Sequence, residues 1–96
     1  METVAEFKRA IRPGVRLTMV GTPALGWLNG TTREVVRVQS ARFSLRTTTP
    51  DGSEVESWVT FPKSADLVKT PEPGRVSFLR FSGEPEYGTM TYEIVS

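Results

Sequence analysis

The chain has 96 residues, a formal net charge of +1, 38% hydrophobic and 24% charged residues, and neither cysteine nor histidine. That length and balance fit one domain over residues 1–96 with a single modest core, not a disordered chain. The missing residue types exclude disulfides, thiolate chemistry, and histidine as a general base or metal ligand, and no apolar run approaches the roughly 20 residues of a membrane-spanning helix.

In chain order, METVAEFKRAIR has charges throughout and no apolar signal-peptide core, so a mature cytoplasmic sequence is expected. Thr3-Val-Ala-Glu6 forms a capping box, and Val4, Phe7 and Ile11 then recur on one helical stripe. Arg12 precedes Pro13 and is pushed out of the α region, which predicts a short amphipathic helix over 3–12. So short a helix is marginal alone and must dock on something. The remainder, 14–96, reads as β structure. Val15–Met19 alternates apolar and polar, and a Gly/Pro-punctuated loop follows over 21–31. Further strands are predicted near Thr32–Gln39 and Arg42–Thr48. Thr49-Pro-Asp-Gly52 is a strong turn, with proline preset for its second position and glycine where a left-handed residue is wanted.

The next strand, SEVESWVTF, stops at Pro62 and places Trp58 on the opposite parity from Val55, Val59 and Phe61. If Pro50-Asp51-Gly52 is a three-residue loop, Phe43 faces Val59 and Leu45 faces Ser57 on one side of the hairpin. On the other side Arg46 meets Glu56, Thr48 meets Glu54 and Ser44 meets Trp58, with Arg42 and Arg46 diagonal to the indole. Ser64–Val68 suggests a single helical turn, followed by a Pro/Gly loop and a hairpin of RVSFLRF (75–81) and TMTYEIV (89–95). The expected architecture is a mostly β, small antiparallel SH3-like barrel with one N-terminal helix; an OB-like barrel or an open sheet with the helix across one face is the alternative.

The segment over 33–67 resembles small uncharacterised proteins of tailed bacteriophages and their bacterial hosts. The likeness is carried by Gln39-Ser40, Phe43, Asp51-Gly52, Ser57-Trp58 and Phe61-Pro62-Lys63, over about a third of the chain. It implies a phage origin and action in a bacterial cytoplasm, and supplies no activity.

No catalytic constellation is evident. Glu54 and Glu56 share a strand face but lie opposite Arg46, which reads as an ion pair. Lys63-Ser64 has nothing to depress the lysine pKa, and no GxxxxGK[ST] or GxGxxG motif occurs. Asp51, Asp66 and Glu72 fall on separate loops, so neither a metal nor a cofactor is expected. Binding to a bacterial host protein is the function expected first. Trp and Arg are enriched at interface centres, which points to Trp58 with Arg42 and Arg46, and to Trp27-Leu28 in the Gly-flanked loop. Each has a structural alternative: the helix laid over Trp58, or Trp27 folded back to plug the barrel's end. Nucleic-acid binding is the second function, through Arg37, Arg42, Arg46 and Lys63 around a Trp58 stacking platform; Glu54 and Glu56 on the same face oppose it. The halves of the chain differ in charge, +5 over 1–49 and −4 over 50–96, as cross-strand pairing would produce. Finally, Val76 and Phe78 alternate with Leu79 and Phe81, giving apolar residues on both faces, so homodimerisation through the C-terminal hairpin is a further expectation.

Overall fold

The computed structural model describes residues 3–21, 30–68, 72 and 74–95. Helix α1 (Val4–Ala10) begins as its capping box requires, the Glu6 amide donating to Thr3 Oγ1 at 3.1 Å. The Glu6 carboxylate accepts from the Thr3 hydroxyl at 3.1 Å. The helix ends earlier than 12, because Ile11 is already extended and turns its side chain into the core.

Seven strands follow: β1 (Arg16–Gly21), β2 (Thr32–Val38), β3 (Arg42–Thr48), β4 (Glu54–Thr60), β5 (Leu67–Val68), β6 (Arg75–Leu79) and β7 (Thr89–Ile94). They form one antiparallel sheet in the order β4-β3-β2-β1-β7-β6-β5. The protein is therefore mostly β with one short helix. Both edge strands are joined directly in sequence by residues 61–66, which include a 3₁₀ turn at Ser64–Asp66. Strand β5 was not anticipated; its two residues are too few to show alternation.

One core serves the whole sheet. Leu17 and Met19 of β1, Val35 of β2, Phe43 and Leu45 of β3, Val76 and Phe78 of β6 and Tyr92 of β7 meet Phe7, Ile11 and Phe61 in a single buried cluster. Residues from strands far apart in sheet order can share a core only if the sheet curls around it. Phe7 is the hub, its ring 5.8 Å from Phe43, 5.6 Å from Phe61 and 5.9 Å from Phe78.

Strand β2 makes the corner. Thr32–Glu34 pair with β1, whereas Val35, Arg37 and Val38 pair with β3, and the register shifts between Val35 and Arg37. A bulge of this kind bends a strand and raises its twist. Its other consequence is a split: the β2–β3 pairing stops at Val35↔Leu45, so Thr31–Arg33 and Arg46–Thr48 border a cavity instead of continuing the ladder.

The β3–β4 hairpin has the register read from its turn, from Thr48↔Glu54 to Arg42↔Thr60. Gly52 has φ of 90°, the left-handed conformation that favours glycine there. One expectation fails. Val55 shares the inner parity with Val59 and Phe61 but is 45% exposed, because this edge hairpin runs past the end of the core. The C-terminal hairpin also differs from expectation. Val76 and Phe78 are in the core, but β6 ends at Leu79, and Phe81 lies beyond it with its ring edge-on to Tyr87 at 5.2 Å. Of the two apolar residues expected on the opposite parity, Leu79 closes the strand and Phe81 lies outside it.

Candidate binding face

The outer face of β2, β3 and β4 gathers most of the residues singled out in the sequence. Trp58 is there, 38% exposed. The Arg42 guanidinium carbon lies 4.0 Å from the indole centroid, and Arg42 Nε donates to Gln39 Oε1 at 3.0 Å. The diagonal offset across the hairpin produces this stack, since Ser44 faces Trp58 and Arg42 lies one pair further on. At an exposed site such an interaction is worth about 0.5–1 kcal/mol, enough to bias both side chains toward one arrangement. The helix does not cover the indole. Phe7 and Ile11 enter the core on the other side of the sheet, and Lys8 reaches the Ser40 carbonyl at 3.1 Å.

Glu56 has a different partner from the one its register suggests. Its Cα partner is Arg46, yet its Oε2 lies 3.1 Å from Arg37 Nε and accepts from Ser44 Oγ at 2.6 Å. The same serine oxygen accepts from the Arg37 amide at 3.1 Å. The bulge sets Arg37 opposite Ser44, and a side chain as small as serine lets the guanidinium pass over it from β2 to β4. The resulting three-strand bridge buries Ser44 completely although it belongs to the outer face. The expected ion pairing of Arg46 with Glu54 and Glu56 is thereby corrected: among the described residues neither Arg46 nor Arg42 has a carboxylate within ion-pair distance.

Arg46 remains exposed and borders two clefts. One is lined by Val36, Glu54, Val55 and Glu56, the other by the Thr31–Arg33 and Arg46–Thr48 edges of the split. Lys63 does not join the patch. It is exposed, precedes the 3₁₀ turn, and its charge acts on Asp66. Trp27 and Leu28 lie outside the described residues.

Three features were not singled out in the sequence. Gln39 holds Arg42, as its position at a strand end three residues away allows. Asp66 is buried and accepts from Ser82 Oγ at 2.7 Å and from the Gly83 amide at 2.9 Å, fastening the 3₁₀ turn to the β6–β7 loop. Those two hydrogen bonds hold its carboxyl below the ordinary value, Ser82 contributing most. Arg33 is buried at the end of the core, donating from Nη1 to Thr47 Oγ1 at 3.1 Å and lying close enough to Tyr92 for its charge to act on the phenol. Burial raises the Tyr92 phenol above its ordinary value, and Arg33 opposes that shift.

Among the described residues there is no group of three or more Asp and Glu placed to hold a metal ion, and no helix long and apolar enough to cross a membrane. Comparison with protein-family models, with curated proteins and with solved structures finds no match.

Proposed function

We propose that this chain is a non-enzymatic binding module encoded by a bacteriophage, which binds a bacterial host protein in the cytoplasm on the outer face of β2–β4. The observation that carries the reading is the Arg42–Trp58 stack, an exposed indole already ordered by a guanidinium that Gln39 holds in place. Pre-ordering removes part of the side-chain entropy that an interface otherwise costs, about 0.5–1.5 kcal/mol for each immobilised side chain. Tryptophan and arginine are also the residues most often found at the energetic centre of an interface. Beside the stack the charges are mixed, with Glu56 neutralised by Arg37 and with Arg46 and Glu54 further along the hairpin toward its turn. This suits a protein surface better than a row of phosphates. The bacterial setting rests on the resemblance carried by Gln39-Ser40 through Phe61-Pro62-Lys63.

The test is capture from bacterial lysate with the wild-type chain and with Trp58→Ala and Arg42→Ala. Both substitutions should weaken capture of the same protein at least about tenfold, the effect of a residue at an interface centre. Undiminished capture by Trp58→Ala sinks the assignment of this face. Recovery of nucleic acid alone, with Trp58 quenching by an oligonucleotide that saturates at physiological salt, replaces the reading with the nucleic-acid one.

A further inference from the structure

The split between β2 and β3 holds a cation in an unusual position. Arg33 is only 6% exposed, and no carboxylate lies within ion-pair distance of it among the described residues. Among the described residues its hydrogen-bond partner is neutral, the Thr47 hydroxyl, and the Tyr92 phenol lies close enough to feel its charge. Among the described residues its fully buried Nε has no hydrogen-bond partner. A buried guanidinium without a counter-charge costs several kcal/mol, and a buried donor left unsatisfied adds about 1–3 kcal/mol more. A bound water or ion is among the things that complete such a group.

The surroundings say what would. Arg33 lines a cavity of about 310 Å³ with Thr31, Thr32, Arg46, Thr47 and Thr48. Among the described residues two arginines and four threonines border it, and no carboxylate does. Glu54 and Glu56 line the neighbouring cleft beyond Arg46, and Glu56 is already engaged by Arg37 and Ser44. A liquid water occupies about 30 Å³, so this volume admits a polyatomic anion with part of its hydration. Arg33 of β2 and Arg46 of β3 border the cavity from two strands, with the Thr32 hydroxyl engaged by Thr18 and the Thr47 hydroxyl by Arg33, and arginine is the side chain suited to the several oxygens of a phosphate.

We propose that the β2–β3 split is an oxyanion site that binds one phosphoryl group, as inorganic phosphate or at the end of a small ligand, with Arg33 as its buried anchor and Arg46 as its closing contact. The site takes a single anionic group and not a nucleic-acid backbone. Arg37 is paired with Glu56 and Arg42 lies on Trp58, so among the described residues no row of unengaged arginines continues from Arg46 across this face. The proposal is independent of the partner-binding face, which shares only Arg46 with it.

The test is titration of the full chain with inorganic phosphate, followed by amide resonances, against chloride at matched ionic strength and against acetate. The Thr32, Arg33, Thr47 and Thr48 amides should shift saturably with phosphate alone. Arg46→Gln should weaken binding about tenfold, the loss of one charge-assisted contact. Arg33→Met should fold, since replacing a buried ion by an apolar side chain is often neutral or better, and it should lose the rise in melting temperature that phosphate gives the wild type. Phenyl phosphate separates the two sources: binding tighter than inorganic phosphate assigns the site to a phosphorylated ligand, and equal or weaker binding assigns it to the free ion. Shifts that match chloride or never saturate overturn the proposal. So does equal binding of acetate, or an Arg46→Gln titration indistinguishable from wild type, and these hold even if Arg33→Met fails to fold.

Discussion

Truncating Phe7 to alanine asks most directly whether the N-terminal helix is part of the core. The ring is fully buried and touches three other aromatic rings, two of them edge-on. Removing a buried phenylalanine side chain costs about 3–5 kcal/mol from lost transfer energy and the cavity left behind. The upper half of that range applies here. Phe43, Phe61 and Phe78 come from three different parts of the chain and cannot all relax inward. Helix α1, with seven residues, also has no independent stability once its one fully buried side chain is gone. Against a total of about 5–15 kcal/mol for a domain of this size, a loss of roughly 4 kcal/mol leaves the fold marginal. At about 4–8 °C per kcal/mol, the melting temperature should fall by roughly 15–30 °C. Urea unfolding followed by circular dichroism measures the change directly, with Phe7→Leu as the companion variant that keeps most of the volume and should lose under about 1.5 kcal/mol. A loss below about 1 kcal/mol for Phe7→Ala would show that the helix sits on the sheet without contributing to its core, and the reasoning would fail.

Ser44→Ala should cost about 1–3 kcal/mol, because it leaves the Arg37 amide without its acceptor under a three-strand bridge and removes one of the two donors to Glu56 Oε2; urea midpoints showing no loss would mean water replaces the hydroxyl. Asp66→Asn should destabilise the protein at neutral pH and much less in acid. The native carboxyl sits below the ordinary 3.8, so its contribution is complete above that value and disappears as pH falls through the lower native one. Urea midpoints at pH 7 and near pH 2 test this, and an equal difference at both would contradict the sign.

The β3–β4 register was legible because three local signals agree. Pro50 and Gly52 set the loop, apolar residues then face apolar ones, and Arg46 falls opposite Glu56. The helix was legible for a similar reason, its cap and stripe lying within nine residues. Glu56's actual partner was not. It depends on a bulge at Val36, and nothing in TREVVRVQ distinguishes a strand with an extra residue from a regular one. Arg33 illustrates a different limit. Periodicity puts it on the parity of Val35, but an arginine in a strand is ordinarily read as solvent-facing, and only the split in the sheet gives it a place inside. The Arg42–Trp58 stack lies between these cases: the diagonal offset allowed it, while Gln39, which fixes it, came from outside the hairpin.

The direct link from one edge of the sheet to the other sets a limit on shape. Seven strands laid flat would put β4 and β5 about 29 Å apart, at roughly 4.8 Å per strand spacing. Between Thr60 and Leu67 the chain makes seven Cα steps, two of them within the compact 3₁₀ turn. At about 3.4 Å for each extended step and 2 Å for each helical one, that tether spans roughly 20 Å. A flat sheet with this connectivity cannot be built. The loop length therefore dictates curvature before any side chain packs, and the Asp66 fastening to Ser82 and Gly83 closes the tether onto the far side of the molecule.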